Sequence, residues 1–133
     1  MSVGNAKIDN DHKYLISVIN TIEAALEIEA PARVLSDYVS QLIDFSHQHF
    51  KREEGYQVEI NFPNRTPHKK LHKDLMGQIQ HIHKNLLSQA DQYHTFSGAY
   101  MFTTPLLLDT LQDWMMNHFM HEDLKMKEYF EAL

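Results

Sequence analysis

Apolar residues recur every three or four positions in four separate segments of this 133-residue chain, and proline, asparagine or glycine marks the breaks between them. That period belongs to one face of a helix, and no strand-like alternation competes with it. The first segment, from about Asp9 to Ile28, carries Leu15, Ile19, Ile22 and Leu26 on one stripe. Asp9 is placed to cap its start, and Asp11 falls in the first turn, where the helix dipole favours an acid. Pro31 breaks the pattern, and the second segment, about Ala32 to Gln57, carries Leu35, Tyr38, Leu42 and Phe45. After a loop from Val58 to Arg65, Thr66 and Pro67 form a cap-plus-proline start for a third helix. It runs to about Tyr93 with Leu75, Ile79, Ile82 and Leu86 inward. A loop from His94 to Thr103 holds Ser97-Gly98, and Thr104-Pro105 opens a fourth helix with Leu108, Leu111, Met115 and Met126 inward. Four helices of about 20–27 residues, each roughly 30–40 Å long, predict an all-α fold, an antiparallel up-down-up-down four-helix bundle. The length suits a single domain over residues 1–133.

Each stripe also runs into metal-ligand residues. Beyond Phe45 the second stripe continues to His49, Glu53 and Tyr56, where leucines are expected. His68 and His72 open the third stripe, His12 lies near the start of the first, and His118 and Asp123 lie towards the end of the fourth. In an antiparallel bundle the starts of helices one and three meet the ends of helices two and four. All seven side chains are therefore expected at one end of the bundle. A pair at i, i+4 alone describes many exposed helix surfaces. Here both such pairs extend an apolar stripe, and burying this many imidazoles and carboxylates without partners would cost several kcal/mol. His118 and Asp123 are spaced by five, which on an ideal helix separates them by about 140°. Glu122 fits better on that helix, whereas a π-bulge would bring Asp123 round, and the spacing leaves both open.

Composition narrows the chemistry. Ten histidines are an excess for which metal binding is the direct physical use. Zero cysteines exclude disulfides, zinc–thiolate sites and iron–sulfur clusters, and fit a cytoplasmic location. Twelve basic against eighteen acidic residues argue against a nucleic-acid partner. No apolar run reaches the roughly 18 residues of a membrane span, and no basic-plus-apolar signal segment opens the chain. Imidazole and carboxylate donors suit iron, and also zinc, nickel or manganese.

Ile8-Asp9-x-x-His12-Lys13-x-Leu15, His49-Phe50-x-x-Glu53-Glu54, His68-x-x-x-His72 and Trp114-x-x-x-His118-x-x-x-x-Asp123 together resemble the hemerythrin family over nearly the whole chain. The resemblance favours Asp123 over Glu122. It implies a non-haem di-iron centre that binds O₂ reversibly, with His68, His72 and His118 on one iron and His12 and His49 on the other. Glu53 and Asp123 would bridge both irons, along with an oxo or hydroxo group. Two iron(II) ions, two carboxylates and one hydroxide leave a single positive charge. Phe50, Trp114 and Met115 flank these ligands and are expected to line the O₂ pocket; the family position matching Met115 is commonly leucine. His47, His81, His83, His94 and His121 have no ligand counterpart and are expected to be solvated, while Glu54 and Glu122 point off the ligand face. Family members usually carry several more residues, including a tryptophan, before the Ser-Val-Gly-Asn at positions 2–5. The expected role is an O₂ carrier or an O₂/redox sensor fused to a signalling output domain. The alternatives are iron storage or an enzyme acting on peroxide or nitric oxide, for which no dedicated substrate pocket or proton relay is evident.

Overall fold

The computed structural model describes residues 2–92, 107–112, 117–118 and 121–133. Among these the regular structure is entirely helical: α1 (Ala6–Glu27), α2 (Ala32–Glu59), α3 (Arg65–Gln92), α4 (107–112) and α5 (Lys127–Glu131). Between the last two, residues 117–118 and 121–122 are π-helical and Asp123–Met126 form a 3₁₀ turn.

The cap of α1 is Asn5, not Asp9. Asn5 has extended backbone angles, and its side chain accepts from the N–H groups of Lys7 and Ile8, both at 3.0 Å. Asp9 accepts instead from Val3 N–H at 2.9 Å and Ser2 Oγ at 2.6 Å, tying the residues before the helix to its first turn. The helix α3 likewise starts one residue before Thr66. His68 N–H donates to the Asn64 carbonyl at 3.1 Å, so Pro67 sits inside the first turn, where it has no needed donor to lose. Both early connections are tight because α1 and α2 end alike. Glu29 and Asn61 take left-handed angles (φ 54° and 52°), and the next N–H groups, of Ala30 and Phe62, donate back to Ala25 and Gln57 at 2.9 Å each.

From α1 to α2 and from α2 to α3 the chain reverses direction. Asp11 of α1 meets Arg52 of α2 while Tyr14 meets Phe45, and Gln57 of α2 meets His68 of α3 while Phe50 meets His72. The predicted inner face of α3 holds completely, with His68, His72, Leu75, Ile79, Ile82 and Leu86 all buried. On α2 the buried row is Leu35, Val39, Leu42, Ser46, His49, Glu53 and Gln57. Tyr38, Phe45 and Tyr56 flank it half-buried, because the row takes in small and polar residues that an apolar stripe passes over. On α1 Ala25 is buried ahead of Leu26, and on α4 Leu107 ahead of Leu108.

Two apolar clusters result. The larger fills most of the length between α1, α2, α3 and α4, from Leu15, Val39 and Ile79 to Leu111. The smaller, of Val3, Ile8, Ile60, Phe62, Met126 and Phe130, closes the end where the expected ligands lie. Gly4 belongs to this closure: its φ of 83° suits glycine, and a Cβ there would come within 3.2 Å of the Phe130 Cβ. The ligand residues are thus not at the open end of the bundle. They form a polar layer between two dry ones.

Candidate metal centre

All seven expected ligand residues meet in that layer. His49, Glu53 and Asp123 are fully buried, and His12, His68, His72 and His118 nearly so. Their donor atoms form two groups, each within 4.8 Å: Glu53, His68, His72, His118 and Asp123 in one, and His12, His49, Glu53 and Asp123 in the other. The two carboxylates belong to both. Glu53 turns Oε1 to His72 Nε2 (3.2 Å) and His68 Nε2 (3.4 Å), and Oε2 to His49 Nε2 (3.0 Å). Asp123 turns Oδ1 to His68 Nε2 (2.9 Å) and His118 Nε2 (3.0 Å), and Oδ2 to His12 Nε2 (2.7 Å). Each carboxylate divides its oxygens between the two sets of histidines.

The donor set fits metal ions. Ligands about 2.1 Å from a six-coordinate ion lie about 3.0 Å apart along the octahedral edges, and the nitrogen–oxygen distances here cluster around that value. His49 Nε2, Glu53 Oε2 and Asp123 Oδ2 are deeply buried without a properly directed hydrogen bond. Donor atoms crowded this closely without aligned hydrogen bonds between them are satisfied together by a shared cation. One group offers five donors and the other four, so an octahedral ion in the second keeps one more position open.

The π-helical turns put Asp123 in this set. With 117–118 and 121–122 wound wider than an α-helix, Asp123 reaches the face of His118 despite the spacing of five. Glu122 faces outward and accepts from Lys125 Nζ at 3.2 Å.

The electrostatics follow from burial against close partners. Burial alone would lower the pKa of His49, but Asp11 on Nδ1 and Glu53 on Nε2 raise it to about 9. His68 also rises, because Asp123 and Glu53 outweigh its burial. His118 is lowered to about 4 by burial, with His72 and His68 adding to the effect. Burial works against ionised Glu53 and Asp123, yet the surrounding histidines hold both below the ordinary carboxylate range. The layer keeps its carboxylates charged and, without metal, favours a proton on His49 and pushes His68 in the same direction.

A model of the hemerythrin HHE cation binding domain matches residues 3–130. The chain belongs to the hemerythrin family. It is 24 % identical to a bacteriohemerythrin of Campylobacter jejuni over 131 residues, 98 % of this chain and 91 % of that one. A hemerythrin-like protein of Naegleria gruberi is 27 % identical over 125 residues, 94 % of this chain and 84 % of that one. A bacteriohemerythrin of Pseudomonas aeruginosa is 22 % identical over 123 residues, 92 % of this chain and 72 % of that one. No solved structure matches significantly. The family model describes a cation-binding domain, in keeping with the clustered donors. No described helix is long and apolar enough to cross a membrane.

Around the seven hemerythrin-type residues lie others that the sequence did not single out for the site. Asp11 is buried beside His49, with Oδ2 3.0 Å from Nδ1, and Arg52 donates to both its oxygens. The Gln57 amide meets His68 Nδ1, and its Nε2 lies 3.4 Å from Met126 Sδ. No spacing rule exposes either residue, since each acts on a histidine of another helix. Of the three expected pocket residues, Phe50 is buried and stacks on His72, with ring centroids 3.8 Å apart, close also to His49 and His118. Trp114 and Met115 lie outside the described residues, as does His94. His47, His81 and His121 are exposed as expected, and His83 is half-buried. Glu54 is half-buried, its Oε2 3.9 Å from His72 Nδ1.

Proposed function

We propose that the seven side chains hold two iron ions and that this pair binds O₂ reversibly. The observation that carries the reading is the division of each carboxylate between two sets of histidines. A single ion has no use for that division, and two ions sharing both carboxylates do. His68, His72 and His118 would hold the first ion and His12 and His49 the second, with Glu53 and Asp123 shared by both. When bound, the iron pair supplies and recovers the electrons that reversible O₂ binding requires.

The remaining work is done by the chain. Nε2 faces inward on every ligand histidine, and Phe50 covers His72 and the adjoining rings. The smaller apolar cluster excludes water from below. The four-donor position has room for one more exogenous ligand, and O₂ is small and uncharged enough to enter a sealed, dry layer. The family resemblance assigns Trp114 and Met115, which lie outside the described residues, to the same pocket. In this reading the C-terminal segment closes an antiparallel four-helix bundle, one domain over 1–133 that works in the cytoplasm, which a cysteine-free chain suits. Its biological role is O₂ carriage or O₂/redox sensing on behalf of a fused signalling output.

The test is the absorption spectrum of the iron(II)-loaded protein before air, after air and after deoxygenation. A visible band that appears with O₂ and vanishes on its removal is expected. Immediate, irreversible oxidation would exclude reversible binding, and one metal per chain would exclude the paired site.

A further inference from the structure

Asp11 and Arg52 occupy matching places beside the site. Asp11 directly precedes His12 on α1 and Arg52 directly precedes Glu53 on α2, so each helix sends one residue into the layer and turns its neighbour towards the other helix. There Arg52 Nε donates to Asp11 Oδ2 at 2.9 Å and Nη2 to Oδ1 at 2.8 Å, a planar two-point clamp. Asp11 is only 6 % exposed, although the Arg52 side chain keeps 31 % of its surface in solvent. An ion pair sunk this far stabilises a fold poorly, because desolvation offsets the attraction. Its third contact gives it a different use. Asp11 Oδ2 lies 3.0 Å from His49 Nδ1, while Nε2 of the same ring lies 3.0 Å from Glu53 Oε2 inside the four-donor group.

We propose that Asp11, clamped by Arg52, is a positioning residue for His49 that makes the two metal positions unequal. A carboxylate at Nδ1 accepts that nitrogen's proton, which fixes the tautomer leaving Nε2 free for metal and locks the ring plane. His68, in the five-donor group, has the neutral amide of Gln57 at the corresponding nitrogen. The atom set there is the amide Nε2, so for His68 to keep its proton on Nδ1 the amide would have to turn its oxygen to it, and that neutral oxygen is a weaker acceptor than a carboxylate. The anionic partner therefore stands behind the position with the extra open site, and it favours the higher-charged, oxidised ion there. The proposal rests on the di-iron reading and adds to it a named control of one iron over the other.

The test uses the full chain loaded with iron(II), as wild type, Asp11→Asn and Arg52→Gln, with each iron equivalent titrated against a competing chelator. Asp11→Asn is expected to weaken one of the two equivalents about 10- to 100-fold, leaving the other within about threefold. One of the two one-electron potentials moves positive, since a neutral partner no longer favours the oxidised ion. In the zinc-loaded protein, one histidine Nδ1–H proton resonance moves upfield. Arg52→Gln, at a partly exposed side chain, removes the clamp but keeps the carboxylate: it is expected to weaken the same equivalent by less and not to move that potential positive, and it carries the test should Asp11→Asn fail to fold. Unchanged affinities and potentials, or equal weakening of both equivalents, would overturn the proposal and leave Asp11–Arg52 as an interhelix tie. A wild-type protein that takes up only one iron would instead overturn the di-iron reading beneath it.

Discussion

Two adjacent glutamates differ only in the direction their helix turns them. Glu53 is fully buried between both sets of histidines, whereas the Glu54 side chain is 28 % exposed and its nearest contact to the layer is 3.9 Å. Glu53→Gln should therefore reduce iron to one equivalent or fewer per chain, while Glu54→Gln keeps two. Equal losses in metal analysis would remove Glu53 from the ligand set. The same residues set a pH dependence. His49 has its folded pKa raised to about 9, above its ordinary value, so its contribution to the metal-free protein is complete below pH about 6.5 and is lost as pH rises through about 9. Glu53 and Asp123 are held low, so their contributions are present above the ordinary carboxylate range and are lost as pH falls through the depressed values. The metal-free protein should melt highest between about pH 5 and 6.5 and lose stability towards pH 9 and beyond. Because metal at Nε2 displaces a proton, iron(II) loading at pH 7 should release at least one proton per chain, and fewer above pH 9.5. A pH-stat titration with no release at pH 7 would show that His49 is neutral before metal arrives.

At the scale of the helices, the two early turns share one design with unequal residues. Glu29 and Asn61 both have left-handed angles, but asparagine tolerates that region and glutamate does not. Glu29→Gly should raise stability by about 0.5–1 kcal/mol and Asn61→Gly should change it little. Chemical denaturation of the metal-free protein measures both, and equal shifts would mean that backbone strain at Glu29 is negligible. How far the sequence could be read follows the same local logic. The inner face of α3 was fully legible because it repeats large apolar residues at helical spacing behind two histidines. The face of α2 was blurred, since Ser46 and Gln57 occupy inner positions that hydrophobicity assigns to solvent. Asp9 looked like a cap because it is acidic and precedes the first apolar residues of the counted stripe, but Asn5 lies where the chain leaves extended geometry. The role of Asp11 was hidden for another reason: its partners are 38 and 41 residues away, and only the antiparallel register of α1 and α2 brings them together. The choice between Glu122 and Asp123 depended on a departure from ideal winding, which spacing by itself does not reveal.

For the whole molecule, the polar layer between two dry clusters makes folding and metal binding a single problem. In the larger cluster, Leu15, Leu42 and Ile79 contribute by burial alone. In the layer, two carboxylates and five imidazoles gain nothing from burial and are held together by whatever positive charge lies between them. A proton on His49 supplies part of it, but a proton joins one donor to one acceptor, whereas an ion engages four or five donors at once. Removing the metal should therefore loosen the layer and, through Gln57–Met126 and Phe62–His68, the closing cluster of Phe62 and Phe130. Iron free at a hundred times its dissociation constant adds about 2.7 kcal/mol to the native state, which for a chain this size corresponds to a melting temperature higher by roughly 10 °C. The loss should be local as well as global: on metal removal, amide exchange should quicken at 57–62 and 123–130 more than at the Ile79–Leu86 stretch of α3. Calorimetry with and without iron(II) measures the first effect and hydrogen exchange the second. Identical melting curves would mean that the donors are satisfied without metal, and uniform exchange would mean that the two apolar clusters are not separated by the layer they enclose.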